Sequence, residues 1–185
     1  TWRADGTVSS RRTRGTGPVD LDFTYAPGMA LPRSIQVRPG ASDASTVEYA
    51  YDADGVRVAT RVRGPGGEER EVRFPGENQP LFVTGGKSGT VLYVPGPTGC
   101  PLVYRDGVRY HASSDRLRST RALFDAQGTL VEGFGYTAFG AARESTGAAP
   151  WMRLRFSGAE YDAETGLYNL NARLMDPTLG RFYAP

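Results

Sequence analysis

The sequence predicts an all-β fold built from antiparallel β-hairpins. Short runs that alternate apolar and polar residues are separated by turn residues about every 8–12 positions, which is typical of all-β architectures. The 24 glycines and 13 prolines interrupt nearly every window in which a long helix would have to form. The net charge is only +2, and ten tyrosines and two tryptophans supply burial area that the low aliphatic content lacks, so a folded chain is expected.

The hairpins are punctuated by glycine-containing turns. The clearest one has an alternating strand on each side of a turn at Asp52–Gly55. Gly64–Gly67 forms the next predicted turn, and Gly85–Gly89 is predicted to be the tip of a second hairpin. Strands are predicted over residues 47–51, 56–62, 69–74, 81–84 and 90–94.

Two regions depart from this pattern. Residues 108–127 contain neither glycine nor proline, and Ser114–Asp115 would cap a helix over residues 116–126. Their apolar positions form no continuous helical stripe, so strand–turn–strand is favoured and the helix remains the alternative. Residues 1–18 are polar and glycine-rich and are expected to be partly loose.

The residue inventory excludes several chemistries. One cysteine and one histidine, Cys100 and His111, support neither a disulfide framework nor a Cys/His zinc site. His111 is expected to be an ordinary hydrogen-bonding residue, and Asp52 with Asp54 is read as a turn rather than a calcium site. Lys87 matches only the end of a phosphate-loop signature, so a hairpin tip is favoured over a phosphate-binding loop there. We predict no metal, no cofactor and, since no stretch approaches about 18 apolar residues, no membrane-spanning helix.

Arginine supplies all but one of the 22 basic residues. The longest basic cluster, Arg11–Arg14, is a candidate phosphate contact. Because 20 carboxylates are interspersed and the net charge is small, we interpret the cluster as a solvated segment and predict no nucleic-acid partner.

A short motif recurs along the chain, in which an aromatic residue and an aspartate precede a glycine. The aromatic residue is expected to close a strand, the aspartate to bond the turn backbone, and the glycine to supply a positive φ. Weaker copies occur at residues 2–8 and 104–108. The main copies are carried by Tyr51, Asp52 and Gly55, by Phe124, Asp125 and Gly128, and by Tyr161, Asp162 and Gly166.

These units resemble the YD repeats of the Rhs family, which includes toxin-complex C components, bacterial polymorphic toxins and teneurins. Residues 91–185 resemble the Rhs repeat-associated core region, through Asp115–Leu123, Tyr136–Gly140 and Phe156–Tyr168. The chain is therefore divided into hairpin repeats at 1–90 and a core region at 91–185. Arg118 stands where the family has a turn glycine, so that turn is expected to take another geometry.

The resemblance implies a strip of antiparallel hairpins belonging to an Rhs-type β-shell. In this family the core region closes a shell around a C-terminal toxin, which is often released by aspartate-dependent self-cleavage. Asp176 is the one candidate here for that chemistry, and a turn-forming role before Pro177 is favoured because no second carboxylate follows. The remaining core-motif residues are Gly180, Arg181 and Phe182.

Three functions follow from the resemblance. The favoured one is a non-enzymatic shell segment whose partners are other shell segments or an enclosed toxin domain. The alternatives are an extracellular adhesion module with a carbohydrate or cell-surface partner, and part of a self-cleaving core. The resemblance also implies that the chain is secreted or lies at the cell surface.

Overall fold

The computed structural model describes residues 1–12, 19–27, 29–38, 40–74, 81–84, 89–97, 99–145, 149–171 and 173–183. Within them, thirteen strands form one antiparallel sheet in which each strand pairs with its neighbours in sequence. The strands are β1 Ser10–Arg11, β2 Leu21–Tyr25, β3 Pro32–Val37, β4 Ser45–Tyr51, β5 Arg57–Arg63, β6 Glu69–Arg73, β7 Leu81–Thr84, β8 Gly89–Gly96, β9 Gly99–Arg105, β10 Val108–Ser114, β11 Thr120–Phe124, β12 Leu130–Tyr136 and β13 Ala142–Ser145.

A smaller sheet follows at the C-terminal end. A single 3-10 turn, Phe156–Gly158, precedes four antiparallel strands in sequence order. These are β14 Glu160–Asp162, β15 Leu167–Asn169, β16 Leu174–Asp176 and β17 Arg181–Phe182. The all-β prediction is thus confirmed, and residues 108–127 form strand–turn–strand rather than a helix.

The core lies between one face of the larger sheet and residues 149–183, which we call the C-terminal segment. We call that face the covered face. Two groups of buried side chains fill the contact, one against β2–β4 and the other against β6 and β8–β12. The first contains Val8, Leu21, Phe23, Ile35, Val37, Val47, Tyr49, Leu167, Leu174 and Tyr183. The second contains Val72, Val91, Tyr93, Val103, Leu123, Phe134, Ala149, Met152 and partly buried Trp151 and Leu154.

The first residues of the chain pair with one another. Trp2 bridges to Val8, and the backbone amides of Ser9 and Ser10 donate to the carbonyl of Thr1, which lies along the outer edge of β1. Residues 1–12 therefore make regular backbone contacts, and the expectation that residues 1–18 are partly loose stays a prediction. Residues 13–18, and the tip containing Lys87, lie outside the described residues.

One five-residue turn recurs between strands. The first residue donates its N–H to the carbonyl of the fifth, and the fourth donates its N–H back to the first. Where the first residue is aspartate, its Oδ1 also accepts two amide hydrogens. Asp52 accepts from Asp54 and Val56 at 3.0 and 2.8 Å. Asp125 accepts from Gln127 and Thr129 at 2.9 and 2.8 Å.

The fourth position of this turn has a positive φ. Gly55 has φ +79° and Gly128 has φ +83°. In the Asp115 copy the position is occupied by Arg118, which adopts φ +67°. The expectation of another geometry there is wrong, because Asp115 makes the same two side-chain bonds, at 2.9 Å each, and holds an arginine in the conformation that glycine takes elsewhere.

Substituting valine at Gly55 or Gly128 should lower the free energy of unfolding by roughly 1–3 kcal/mol, because a β-branched residue is strained at positive φ. Gly133→Val is the matched control, since Gly133 lies within β12 and a Cβ there meets nothing within 4 Å. Urea denaturation compares the unfolding midpoints of the three valine variants. A fourth variant, Arg118→Gly, is expected to raise the midpoint. Equal midpoints for all three valine variants would contradict the turn geometry.

Candidate functional site

The candidate site is the charged part of the contact between the covered face and the C-terminal segment. Arg57 is positioned by a β-bulge, since Tyr51 pairs with Arg57 while Ala50 already pairs with Ala59. The extra residue reverses the alternation of side chains, and it puts Arg57 on the same face as buried Thr60. A charged side chain is thereby directed into the core.

Two arginines enclose two carboxylates at this point. Arg57 Nη1 donates to Asp162 Oδ2 at 2.7 Å, and its Nη2 donates to Glu160 Oε2 at 2.5 Å. Arg153 Nε donates to Glu160 Oε1 at 2.8 Å, and its Nη2 donates to Asp162 Oδ1. The side chains of Arg57 and Asp162 are 3% and 0% exposed, so this is a buried ion cluster.

The neighbouring charges fix the protonation states of the cluster. Burial alone would raise the pKa of Asp162, but the charges of Arg57 and Arg153 hold it below the ordinary value of 3.8. Burial likewise opposes the charge on Arg57, yet Asp162 and Glu160 raise its pKa. Tyr49, which donates its hydroxyl to Asp162 Oδ2 at 3.2 Å, has a pKa raised by burial and by that carboxylate. Asp162 and Arg57 are therefore both charged at neutral pH.

A second anchor joins β1 to the end of the C-terminal segment. Arg11 Nη1 donates to Asp176 Oδ2 at 2.5 Å, and Arg11 Nε donates to the Val19 carbonyl at 3.2 Å. The hydroxyl of Tyr183 also donates to Asp176 Oδ2. Burial and this bond to Asp176 raise the pKa of Tyr183. A third pair links Arg70 of β6 to Glu164.

Arg11 corrects one sequence-based interpretation. The basic cluster was expected to be a solvated segment, but Arg11 is buried and only 7% exposed. It lies on the short strand β1, paired with Leu21 of β2, and its guanidinium reaches a buried carboxylate 165 residues away in sequence. Arg12 lies in the more exposed pair with Asp22.

The repeat residues fall in two kinds of environment. Tyr51, Asp52 and Gly55, and Phe124, Asp125 and Gly128, surround the recurring turn between two strands of the larger sheet. The third copy differs, because Asp162 directs its carboxylate to two arginines rather than to turn amides, which corrects the turn-bonding role expected of it. Its turn is closed by the Gly166 amide, which donates to the Asp162 carbonyl at 2.8 Å. The Tyr161 ring lies 5.0 Å from the Tyr168 ring.

The core-motif residues form the β16–β17 hairpin. Asp176 ends β16, pairs with Arg181, and precedes Pro177. Its Oδ1 accepts the amides of Thr178 and Leu179 at 2.8 and 3.1 Å, so the carboxylate shapes this turn. Gly180 has φ +61° and lies against the ring of Phe139. Phe182 is covered by the guanidinium of Arg173, 4.0 Å from its ring centroid.

The arrangement holds the two sheets together through buried ion pairs. Asp162 and Asp176 are fully buried and each accepts several hydrogen bonds. Within the described residues, no cluster of three or more His, Cys, Asp or Glu side chains is placed to hold a metal ion. No helix in that part of the chain is long and apolar enough to cross a membrane. His111 lies exposed on β10.

Sequence reasoning missed Arg57 and Arg153. Arg57 falls at a polar position of an alternating strand, and only the bulge turns it inward. Arg153 was not singled out because its contacts form only when the C-terminal segment folds back onto the covered face. One available signal was the unusual run of Arg153 and Arg155 beside aromatic residues in an otherwise apolar stretch, since arginine stacks on aromatic rings. Arg155 indeed lies 4.8 Å from the Tyr161 ring.

The fold and the closing C-terminal segment define the class of YD-repeat β-shell proteins. The Teneurin YD-shell family model matches residues 36–185, and the chain belongs to this family. The sequence-based identification as an Rhs/YD-repeat protein is therefore confirmed.

Salivary gland surface protein 1 of Aedes aegypti is 31% identical over 160 residues, which are 75% of this chain and 4% of that protein. The tRNA3(Ser)-specific nuclease WapA of Bacillus spizizenii is 29% identical over 91% of this chain and 7% of its own length.

Solved structures show the same fold. The crystal structure of TcdB2-TccC3 superposes with a TM-score of 0.77 and 16% identity over 99% of this chain and 10% of that one. The Photorhabdus luminescens Tc holotoxin pore, with a TccC3 mutation, gives a TM-score of 0.78 and 17% identity over 99% of this chain and 9% of that one. The chain spans under a tenth of the length of these two curated relatives, and it shares the fold of these two solved structures.

Asp162→Asn should lower the free energy of unfolding by roughly 3–5 kcal/mol, because it leaves two buried arginines sharing the single carboxylate of Glu160. The matched control is Asp43→Asn, which makes the same change in the Arg38–Asp43 pair, whose side chains are both 51% exposed. The control should change stability by about 1 kcal/mol or less. Chemical denaturation measures both, and similar small losses would contradict a buried ion cluster.

Acid should destabilise the fold through the same residue. Since the pKa of Asp162 is lower when folded, the unfolded chain binds more protons, and stability falls as the pH drops below about 4. Thermal melts from pH 7 to pH 2 should show this slope in the parent. The slope should be shallower in Asp162→Asn, and an identical slope in both proteins would contradict the assignment.

Proposed function

We propose that this chain is a structural segment of a β-shell that encloses or presents a partner polypeptide. The observation that carries the proposal is the uninterrupted thirteen-strand meander with the C-terminal segment packed on one face. A sheet covered on one side by its own chain provides a wall with two chemically different surfaces. We further propose that the covered face is the inner one and that residues 91–185 act as the closing region.

The position of Tyr183 supports this orientation. Its ring packs edge-on against Phe23 at 5.1 Å, and its amide donates to the Leu174 carbonyl at 2.9 Å. A polypeptide that followed residue 183 would start on the covered face, beside β2. Enclosure of a C-terminal partner therefore requires no rearrangement of the segment.

The strand edges favour association with further sheet. Within the described residues, β13 pairs with β12 and no second strand pairs with its other edge. The edge of β1 is partly occupied by Thr1. We propose that β13 joins another shell segment, and that this occurs outside the cell, as the family resemblance implies.

The engagement of Asp176 argues for a non-enzymatic role. Its carboxylate accepts hydrogen bonds from Arg11, Tyr183 and the two turn amides, and no second carboxylate bonds to it among the described residues. Paired-carboxylate chemistry needs two such groups whose environments separate their pKa values. We propose that Asp176 is a structural residue. We also prefer a polypeptide partner to nucleic acid, because the guanidinium of Arg11 is already paired with Asp176.

Two measurements test the proposal. The purified chain should associate with increasing concentration in light scattering, and its intact mass should stay constant for days, as should that of Asp176→Asn. Arg143→Pro should weaken the association because proline removes an amide from β13, whereas Arg143→Ala keeps the amide and removes the same charge. Cleavage of the parent alone would overturn the non-enzymatic role, and a strictly monomeric parent would overturn the open edge.

A further inference from the structure

Three buried polar atoms beneath the Asp162–Gly166 turn lack hydrogen-bond partners. They are Arg57 Nε, Thr60 Oγ1 and Glu164 Oε2. Thr60 is fully buried, and the Arg57 side chain is 3% exposed. An unsatisfied buried polar atom is costly, so three in one contact call for a physical explanation.

The three residues are linked through shared neighbours in the sheet and the C-terminal segment. Thr60 lies opposite Tyr49 of β4 and Val72 of β6. The Tyr49 hydroxyl reaches Asp162, which Arg57 also contacts. On the other side, Glu164 reaches Arg70, which pairs across the strands with Val62, two residues beyond Thr60. The turn from Asp162 to Glu164 therefore spans the sheet positions that surround Thr60.

The chemistry of the three atoms is complementary. A guanidinium Nε only donates, a carboxylate oxygen only accepts, and a threonine hydroxyl does both. A water molecule can accept from the first, donate to the second and bond the third. An ion is disfavoured because three arginines, Arg57, Arg70 and Arg153, face three carboxylates, Glu160, Asp162 and Glu164, and the charges balance.

We propose that this part of the contact is a site for internal water, which bridges the covered face to the Asp162–Gly166 turn. Buried waters in proteins typically make about three hydrogen bonds to polar groups that would otherwise be unsatisfied. The contact between the larger sheet and the C-terminal segment is then partly water-mediated at its charged end. The proposal does not depend on what the shell encloses.

The sign of one substitution tests the proposal. If Thr60 bonds water, Thr60→Val should lower the ratio of folded to unfolded protein about fivefold to tenfold, as expected for the loss of a buried hydrogen bond. If the hydroxyl has no partner, its removal should raise that ratio. Thr120→Val is the matched control, because Thr120 is 4% exposed and its hydroxyl donates to the Leu154 carbonyl at 2.9 Å. The control should lose stability in either case.

A crystal structure of the full chain provides the second readout. Electron density for water within about 3.2 Å of Thr60 Oγ1 is the expected result. Thr60→Ser keeps the hydroxyl and should keep that density, so the test survives if the valine variant does not fold. A stabilised Thr60→Val, or a dry Thr60 hydroxyl in the crystal structure, would overturn the proposal.

Discussion

The pairing of buried sheet arginines with carboxylates of the C-terminal segment is the constraint on which the architecture depends. Apolar contacts such as those of Met152 and Leu167 favour burial but tolerate sliding, because they are not directional. A buried guanidinium needs its carboxylate at hydrogen-bond distance, so Arg57 with Asp162 and Arg11 with Asp176 fix the register of the smaller sheet. The two pairs close loops of 105 and 165 residues, so each ties distant parts of the chain together.

The distinction between local and distant interactions explains what the sequence could predict. The hairpins follow from alternation and turn residues within a few positions, so the strands on each side of Asp52–Gly55 were predicted with nearly their observed bounds. The inward position of Arg57 depends on a bulge against β4, and the burial of Arg11 depends on a strand at the far end of the chain. Neither has a local signature. Asp162 shows the same limit, since a repeat residue with a local turn role elsewhere is recruited here by two arginines.

The recurring turn shows what the aspartate and the glycine of the repeat each contribute. Glycine is the most visible residue of the pattern, yet Arg118 takes its place at φ +67° while Asp115 keeps both side-chain hydrogen bonds. Strain at a non-glycine residue in this conformation is of order 1 kcal/mol, which two such bonds can offset. The aspartate therefore stabilises the turn where it occurs, and the glycine lowers the cost of the positive φ. The same backbone turn forms at Gly64–Glu68 with glycine in the first position, so the aspartate is not required for it.

The two halves of the covered face make different contacts with the C-terminal segment. Strands β8–β12 contact it mainly through apolar and aromatic side chains, whereas Arg11 on β1, Arg57 on β5 and Arg70 on β6 contact it through ion pairs. Apolar burial supplies most of the attraction, and the charged end supplies the position. The apolar and charged contacts together hold the C-terminal segment in one orientation on the covered face.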